Sequence, residues 1–166
     1  MFEIWELVDK NKNKTGIFHE RKKEKIFPEG LYHMIVEVWV KTPSNKILIT
    51  KRHPDKNYGL MWECTGGAVV AGEETIDAAV RELHEETGIL AQKEQMTYLG
   101  DTFRKDHIID TYLCKLDDEN PKLNLQLTEV IDGRFVPIEE MEQYKDNFID
   151  REWNNFIRFK DQIINM

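Results

Sequence analysis

The sequence contains few cysteines, no long apolar run and no excess of positive charge. Cys64 and Cys114 are its only cysteines, so we expect two free thiols in the cytoplasm rather than a disulfide framework. No apolar stretch approaches the roughly 18–20 residues that a membrane span needs, and the first residues are unlike a signal peptide. The formal net charge of −8 disfavours binding to nucleic acid polymers and to anionic membranes. We therefore expect a cytoplasmic protein without nucleic acid or membrane partners.

The rest of the composition suits one domain with a sizeable core, because 40% of the 166 residues are hydrophobic. Alternation of apolar and polar residues predicts an N-terminal hairpin, a central hairpin and three later strands. In order, these strands occupy residues 2–8, 17–21, 33–41, 46–51, 96–103, 108–116 and 133–137. An amphipathic pattern predicts a C-terminal helix at residues 149–164. The fold class is therefore α/β, with a mixed central sheet and a helix on each face.

Residues 67–89 combine a glycine-rich loop with a second predicted helix. Thr75 is a suitable N-cap and Gly88 a suitable C-cap for that helix. Between them, one apolar stripe at helical spacing consists of Ile76, Ala79, Val80 and Leu83. This stripe is expected to pack against the sheet.

The side of this helix away from the stripe carries Glu82, Glu85 and Glu86, which lie within roughly 100° of one another on a helical wheel. Like charges at this spacing destabilise a helix by roughly 0.2–0.5 kcal/mol per pair, and the last turn favours cations. One interpretation is a solvated acidic face. The other is a site for a hard divalent cation such as Mg²⁺, which binds carboxylate oxygens. The adjacent loop and Arg81 favour the cation site.

The same stretch resembles the Nudix box, Gly-x5-Glu-x7-Arg-Glu-U-x-Glu-Glu-x-Gly-U, in which U is a bulky aliphatic residue. Its specified positions are filled by Gly67, Glu73, Arg81, Glu82, Leu83, Glu85, Glu86, Gly88 and Ile89. The resemblance implies a Nudix-type α/β/α sandwich with an additional N-terminal β-hairpin. It also implies a single Nudix hydrolase domain over residues 1–166, with a hairpin extension at 1–30 and the box loop and helix at 67–89.

The resemblance implies Mg²⁺-dependent hydrolysis of a diphosphate bond, with Mn²⁺ as an alternative ion. The residues that match the family's metal ligands are the Gly66 carbonyl, Glu82, Glu85 and Glu86. Arg81 and Glu73 match a pair that braces the loop against the helix, and Gly67 and Gly88 are further structural positions of the box.

The general base is left open between a box glutamate, Glu85 or Glu86, and a carboxylate from a later loop. Glu129 is placed similarly to the distal metal-binding glutamate of mutator-type members, although it could also be an ordinary surface charge. Asp106, His107 and Asp110 are weaker candidates.

Substrate contacts are less specified by the sequence. Lys51 and Arg52 follow a predicted strand and are interpreted either as a charged strand end or as ligands of the substrate diphosphate. The sequence run of NADH-type members and the proline expected after the box in ADP-ribose-type members are both absent. A nucleoside diphosphate derivative, a prenyl diphosphate and a damaged nucleotide therefore remain open as substrates. A homodimer is an expectation by analogy with relatives.

Two alternatives accompany the hydrolase interpretation. The N-terminal part resembles the extension of isopentenyl-diphosphate isomerases, which indicates the isomerase-like branch of the family. Isomerisation itself needs a cysteine several residues after the tryptophan that matches Trp62, and Cys64 comes too early. The intact box is a second reason to favour hydrolysis over isomerisation. A non-catalytic nucleotide- or diphosphate-binding module is the other alternative, but such members usually lose box glutamates. Hydrolysis is therefore the favoured activity.

Overall fold

The computed structural model describes residues 3–21, 24 and 26–166. Within these residues lie nine strands, two α-helices and two 3₁₀ segments. The strands are β1 (Ile4–Val8), β2 (Lys14–Glu20), β3 (His33–Lys41), β4 (Lys46–Arg52), β5 (Trp62–Glu63), β6 (Thr65–Ala68), β7 (Met96–Phe103), β8 (His107–Lys115) and β9 (Val130–Pro137). The helices are α1 (Thr75–Thr87) and α2 (Asp150–Asn165), and the 3₁₀ segments are Lys93–Gln95 and Ile138–Asn147.

The N-terminal hairpin is present, and β1 pairs antiparallel with β2 in a separate two-stranded sheet. Its second strand begins three residues earlier than the predicted residue 17, because the turn closes early. The Asp9 carboxylate accepts hydrogen bonds from the backbone N–H groups of Asn11 and Asn13 at 2.8 and 3.0 Å. Phe2, predicted to belong to the first strand, lies outside the described residues.

The main sheet is mixed and is organised around β3. Strand order is β5-β4-β3-β8-β7, and β9 pairs with β4. β3 runs parallel to β8 along its whole length, from the pair His33–His107 to the pair Lys41–Lys115. On its other edge β3 pairs with β6 and reaches β4 only at Lys41 and Ile47. β6 therefore enters the sheet beside β3 and brings the start of the box loop against the sheet.

Each face of the sheet is covered by one helix, which confirms the predicted sandwich. One core lies under α1 and includes Val36, Val38, Ala78, Ala79, Leu83 and Ile108. The other lies under α2 and includes Trp39, Ile47, Ile49, Phe148, Trp153, Phe156 and Phe159. The alternation of β3 distributes its side chains between these cores, because successive strand residues point to opposite faces.

The box helix begins differently from the prediction. Glu74, not Thr75, occupies the N-cap position, and its side chain makes no capping hydrogen bond. The predicted cap was wrong by one residue because the Thr75 hydroxyl contacts the Tyr112 hydroxyl at 2.6 Å instead. Gly88 is the C-cap as predicted: its φ is 75°, and its N–H donates to the carbonyl of His84. Glycine adopts this left-handed conformation without strain.

Both cysteines are buried free thiols, and burial raises the pKa of each thiol. Neither α-helix in the described residues is sufficiently long and apolar to cross a bilayer.

The α2 core allows a direct test of the packing. Phe156 is fully buried, whereas the adjacent Ile157 is 50% exposed. We expect Phe156→Ala to lower the free energy of unfolding by about 3–5 kcal/mol, because the lost burial leaves a cavity. The matched Ile157→Ala change should cost less than about 1 kcal/mol. Urea titration followed by circular dichroism measures both, and equal losses would contradict this packing.

Candidate active site

Arg81 joins the box loop to the box helix. Its Nε and Nη2 atoms donate to the two carboxylate oxygens of Glu73 at 2.8 and 2.9 Å. Nη2 also donates to the carbonyl of Ala68 at 3.0 Å. These bonds tie both ends of the loop to α1, and the planar guanidinium is well suited to such a bidentate contact. The predicted structural pair Arg81 and Glu73 is thus in direct contact.

The two glycines of β6 allow close approaches that a side chain would block. A Cβ added at Gly66 would lie 2.2 Å from the carbonyl oxygen of Val36, on β3. A Cβ added at Gly67 would lie 2.4 Å from the carboxylate carbon of Glu82. Gly66 thus lets β6 pair with β3, and Gly67 lets the Glu82 carboxylate rest against the backbone.

Glu86 is the most buried box carboxylate, with only 4% of the residue exposed. Its Oε2 accepts hydrogen bonds from the Thr65 hydroxyl at 2.5 Å and from the Gly66 N–H at 3.4 Å. Burial, reinforced by the negative charge of Glu63, raises its pKa to about 8. The predicted metal positions Gly66 and Glu86 are therefore adjacent.

Glu82 and Glu85 complete the acidic face of α1. Arg81 Nη1 donates to Glu82 at 2.7 Å and to Glu85 at 3.1 Å. Burial raises the pKa of Glu82, and the neighbouring Arg81 opposes that shift. The Glu85 side chain is 50% exposed. The burial of these carboxylates therefore decreases from Glu86 to the solvent-facing Glu85.

The donor set fits a hard divalent cation. Glu82 and Glu86 lie against the backbone of consecutive residues of β6, and every atom that they offer is oxygen. Mg²⁺ and Mn²⁺ prefer such carboxylate and carbonyl ligands. Burial raises the pKa of Glu86, and the positive charge of Lys56 opposes only part of that shift, so further positive charge is needed to stabilise the ionised form. A cation held by Gly66, Glu82 and Glu86, with Glu85 beside it, would supply that charge.

Glu129 lies in the loop before β9 and forms an ion pair with Lys56. Its carbonyl also accepts the backbone N–H of His53 at 2.8 Å, so the two loops are joined. The positive charge of Lys56 lowers the pKa of Glu86, which places the ion pair in electrostatic range of the box. Lys56 belongs to no sequence motif, and only these contacts identify it as a residue of the site.

Lys51 and Arg52 take different positions. The Lys51 ammonium lies 5.5 Å from the ring centroid of Trp62. Among the residues that the structure describes, Lys51 forms no ion pair with a box carboxylate. Arg52 forms an ion pair with the buried carboxylate of Glu63. Its Nε also donates to the carbonyl of Asn57 at 2.8 Å. Arg52 is therefore joined to the acidic region through Glu63.

Glu63 is a further acidic residue of this region that the sequence motifs do not indicate. It is 3% exposed, and burial together with the charge of Glu152 raises its pKa to about 8. Behind it, the Glu152 carboxylate accepts the backbone N–H of Cys64 at 2.8 Å, and Glu37 accepts from the Asn155 amide at 2.7 Å. β5 has only two residues, so no alternation was available to predict that Glu63 points inward.

Comparison with known proteins agrees with this arrangement. The sequence model of the NUDIX domain matches residues 31–155. An uncharacterised Nudix hydrolase of Listeria monocytogenes is 32% identical over 150 residues, which cover 87% of this chain and 86% of the relative.

Solved Nudix structures share the fold at low sequence identity. The NUDIX domain of Shewanella oneidensis NrtR, solved as a complex with ADP ribose, is 15% identical. It has a TM-score of 0.66 over 86% of this chain and 94% of its own. A bifunctional NMN adenylyltransferase/ADP ribose pyrophosphatase of Francisella tularensis, complexed with AMP and a manganese ion, is 19% identical. Its TM-score is 0.67 over 80% of this chain and 42% of its own.

The domain match covers most of the chain, and the Listeria relative spans nearly the same length. The relatives confirm the predicted enzyme class, a Nudix pyrophosphohydrolase. With the box residues assembled as described, the chain belongs to the Nudix hydrolase family.

Proposed function

We propose that this protein hydrolyses the diphosphate bond of a nucleoside diphosphate-linked substrate with the help of a bound Mg²⁺ or Mn²⁺ ion. The observation that carries the proposal is the convergence of Glu82 and Glu86 on the Gly66–Gly67 backbone. A buried carboxylate with a raised pKa is costly in the bare chain, and a divalent cation removes that cost. Such sites are typical of catalytic centres rather than of solvated surfaces.

The chain's own residues have distinct roles in this proposal. Glu82, Glu86 and the Gly66 carbonyl hold the ion, which when bound supplies positive charge next to the phosphate oxygens. Thr65 fixes the carboxylate of Glu86 through its hydroxyl. Arg81 fixes Glu82 and Glu85 relative to the loop.

Glu85 and Glu129 are the two candidates for accepting the proton of the attacking water. Arg81 restrains Glu85, and Lys56 restrains Glu129. Lys56 is then well placed to contact the substrate diphosphate, because its charge reaches Glu86, Glu63 and Glu129. Arg52 belongs to the same region through its ion pair with Glu63, whereas the Lys51 ammonium faces the ring of Trp62.

The nucleoside diphosphate class is supported by the ADP ribose and AMP complexes of the two structural neighbours. We also propose that the chain belongs to the isomerase-like branch of hydrolases. The N-terminal hairpin that carries this resemblance is present and supports the assignment. It contacts the box loop, where the backbone N–H of Ala71 donates to the carbonyl of Ile4 at 2.8 Å.

The proposal is tested by phosphate or monophosphate release from a panel of diphosphates, with and without Mg²⁺. The panel contains nucleoside triphosphates, oxidised nucleotides, ADP-ribose, sugar nucleotides, dinucleoside polyphosphates and isopentenyl diphosphate. Mg²⁺-dependent cleavage of one nucleotide class is the expected result. Double-bond migration in isopentenyl diphosphate without any cleavage would instead establish the isomerase, and tight binding without turnover would establish a binding module.

Glu86→Gln should lower kcat by at least roughly 100-fold, because a neutral amide cannot replace a carboxylate ligand of the ion. The fold should persist, since the hydrogen bond from Thr65 can be retained by the amide oxygen. Steady-state kinetics with a Mg²⁺ titration measures the effect, with circular dichroism as the check on folding. The exposed Glu94→Gln serves as the matched control. A near-normal rate and Mg²⁺ dependence in Glu86→Gln would contradict its role as a main ligand.

Lys56→Gln should raise KM by roughly 10–100-fold, the range expected for one charge-assisted contact to phosphate. kcat should fall less, because Lys56 is not assigned to the ion. Lys122→Gln removes an exposed lysine elsewhere and should leave both constants unchanged. Substrate titrations of the three proteins separate KM from kcat. Unchanged KM in Lys56→Gln would remove this residue from the substrate site.

A further inference from the structure

The chain changes its pairing partner between β5 and β6. The two residues of β5 pair with β4, whereas β6 pairs with β3 from Thr65 onwards. Cys64 lies between the two strands and belongs to neither ladder, and we call this residue the β5–β6 junction. It is only 3% exposed. A buried backbone N–H at such a position has no strand partner and needs another acceptor.

Glu152 of α2 provides that acceptor. Its Oε2 atom accepts the Cys64 N–H at 2.8 Å, and Glu152 is itself 3% exposed. A hydrogen bond to a carboxylate is stronger than one between neutral groups, and burial strengthens it further. Beside it, the N–H of Ile149 donates to the carbonyl of Trp62 in β5 at 2.9 Å. The start of α2 therefore holds β5 and the junction through two hydrogen bonds.

Further contacts fix the first turns of α2 against the same strands. The other carboxylate oxygen of Glu152 accepts from Arg151 Nη2 at 3.3 Å. Asn155, which follows on the same helix, donates to Glu37 of β3 at 2.7 Å. Glu37 is the direct partner of Gly66 in the β3–β6 ladder. Glu152 thus reaches the junction from a helix that is also bound to the neighbouring strand.

The residues after the junction carry contacts of the box. Thr65 is joined to Cys64 by one peptide bond, and its hydroxyl donates to Oε2 of Glu86 at 2.5 Å. Gly66 follows, and its carbonyl is the backbone ligand in the proposed ion site. Because these groups belong to consecutive residues, a displacement of Cys64 moves them together relative to α1. The geometry of the ion site therefore depends on a contact made by the opposite helix.

We propose that Glu152 is a positioning residue of the ion site, which holds Thr65 and Gly66 next to Glu86 through its hydrogen bond to Cys64. The inference rests on the proposed function, because it assigns to that same ion site a residue from the other face of the sheet. The position requires an acceptor that reaches the Cys64 N–H, and the negative charge of that acceptor is secondary.

Two substitutions separate the reach of this side chain from its charge. Glu152→Gln keeps the length and a carbonyl acceptor but removes the charge, whereas Glu152→Asp keeps the charge and is one methylene shorter. Mn²⁺ affinity, measured by electron paramagnetic resonance without substrate, should be retained in Glu152→Gln. It should fall by roughly 10-fold in Glu152→Asp, the lower end of the range for losing an outer hydrogen-bonding partner. At a subsaturating Mn²⁺ concentration, kcat should follow this affinity, with KM less affected. The exposed Asp150→Ala, on the same turn of α2, is the control and should change neither constant.

Hydrogen exchange tests the contact without the ion or the reaction. In the metal-free chain, the Cys64 amide proton should be protected in the unsubstituted protein and in Glu152→Gln. It should exchange roughly 10-fold faster in Glu152→Asp, because its acceptor is withdrawn. The amide proton of Leu113, within β8, should exchange equally in all three proteins. If the shorter side chain prevents folding, Glu152→Leu fills the volume without an acceptor and should show the same losses.

Equal Mn²⁺ affinity and equal Cys64 exchange in Glu152→Gln and Glu152→Asp would overturn the proposal, whether both match the unsubstituted chain or both fall below it. Absence of Mn²⁺ binding in the unsubstituted chain would contradict the proposed function instead. The exchange of the Cys64 amide proton would then still decide whether Glu152 holds the junction.

Discussion

The buried carboxylate of Glu86 is the constraint on which the site depends. Its charge is removed from water and lies near other acidic side chains, and its pKa rises to about 8. Such a group favours the folded state while protonated, and that contribution is lost as the pH rises from the ordinary value of 4.5 towards 8. Thr65 and the more distant Lys56 offset only part of the cost. A divalent cation is the simplest source of the missing positive charge.

The surrounding structure holds this carboxylate in a fixed position. β6 enters the sheet on the edge of β3 opposite β8, and Gly66 permits that approach because any Cβ would collide with β3. Arg81 then secures the loop that follows, by binding Glu73 and the Ala68 carbonyl. The carboxylates of α1 consequently face a backbone that is fixed from both ends. This rigidity is what a preorganised catalytic site requires.

Much of the fold and the centre of the site could be predicted from local sequence patterns. Alternation identified β3 and β8, and the helical spacing of Glu82 and Glu86 identified the acidic face, because both periodicities are local. Contacts that depend on distant segments could not be predicted. Lys56 reaches Glu129 across 73 positions of sequence, and Glu63 sits on a two-residue strand with no periodicity. The pairing of His33 with His107 likewise required the register of β3 against β8.

The central claim is that the box carboxylates are tolerated because they bind a divalent cation. The most direct test compares the thermal unfolding of the wild-type chain and Glu86→Gln at a pH above about 8, where Glu86 is ionised. Without Mg²⁺, the account predicts that the variant is the more stable protein, because the uncompensated buried charge is gone. With Mg²⁺, the wild-type chain should gain stability and overtake the variant, which should respond weakly. A wild-type chain that is already the more stable without Mg²⁺, together with equal Mg²⁺ shifts in both proteins, would contradict the account.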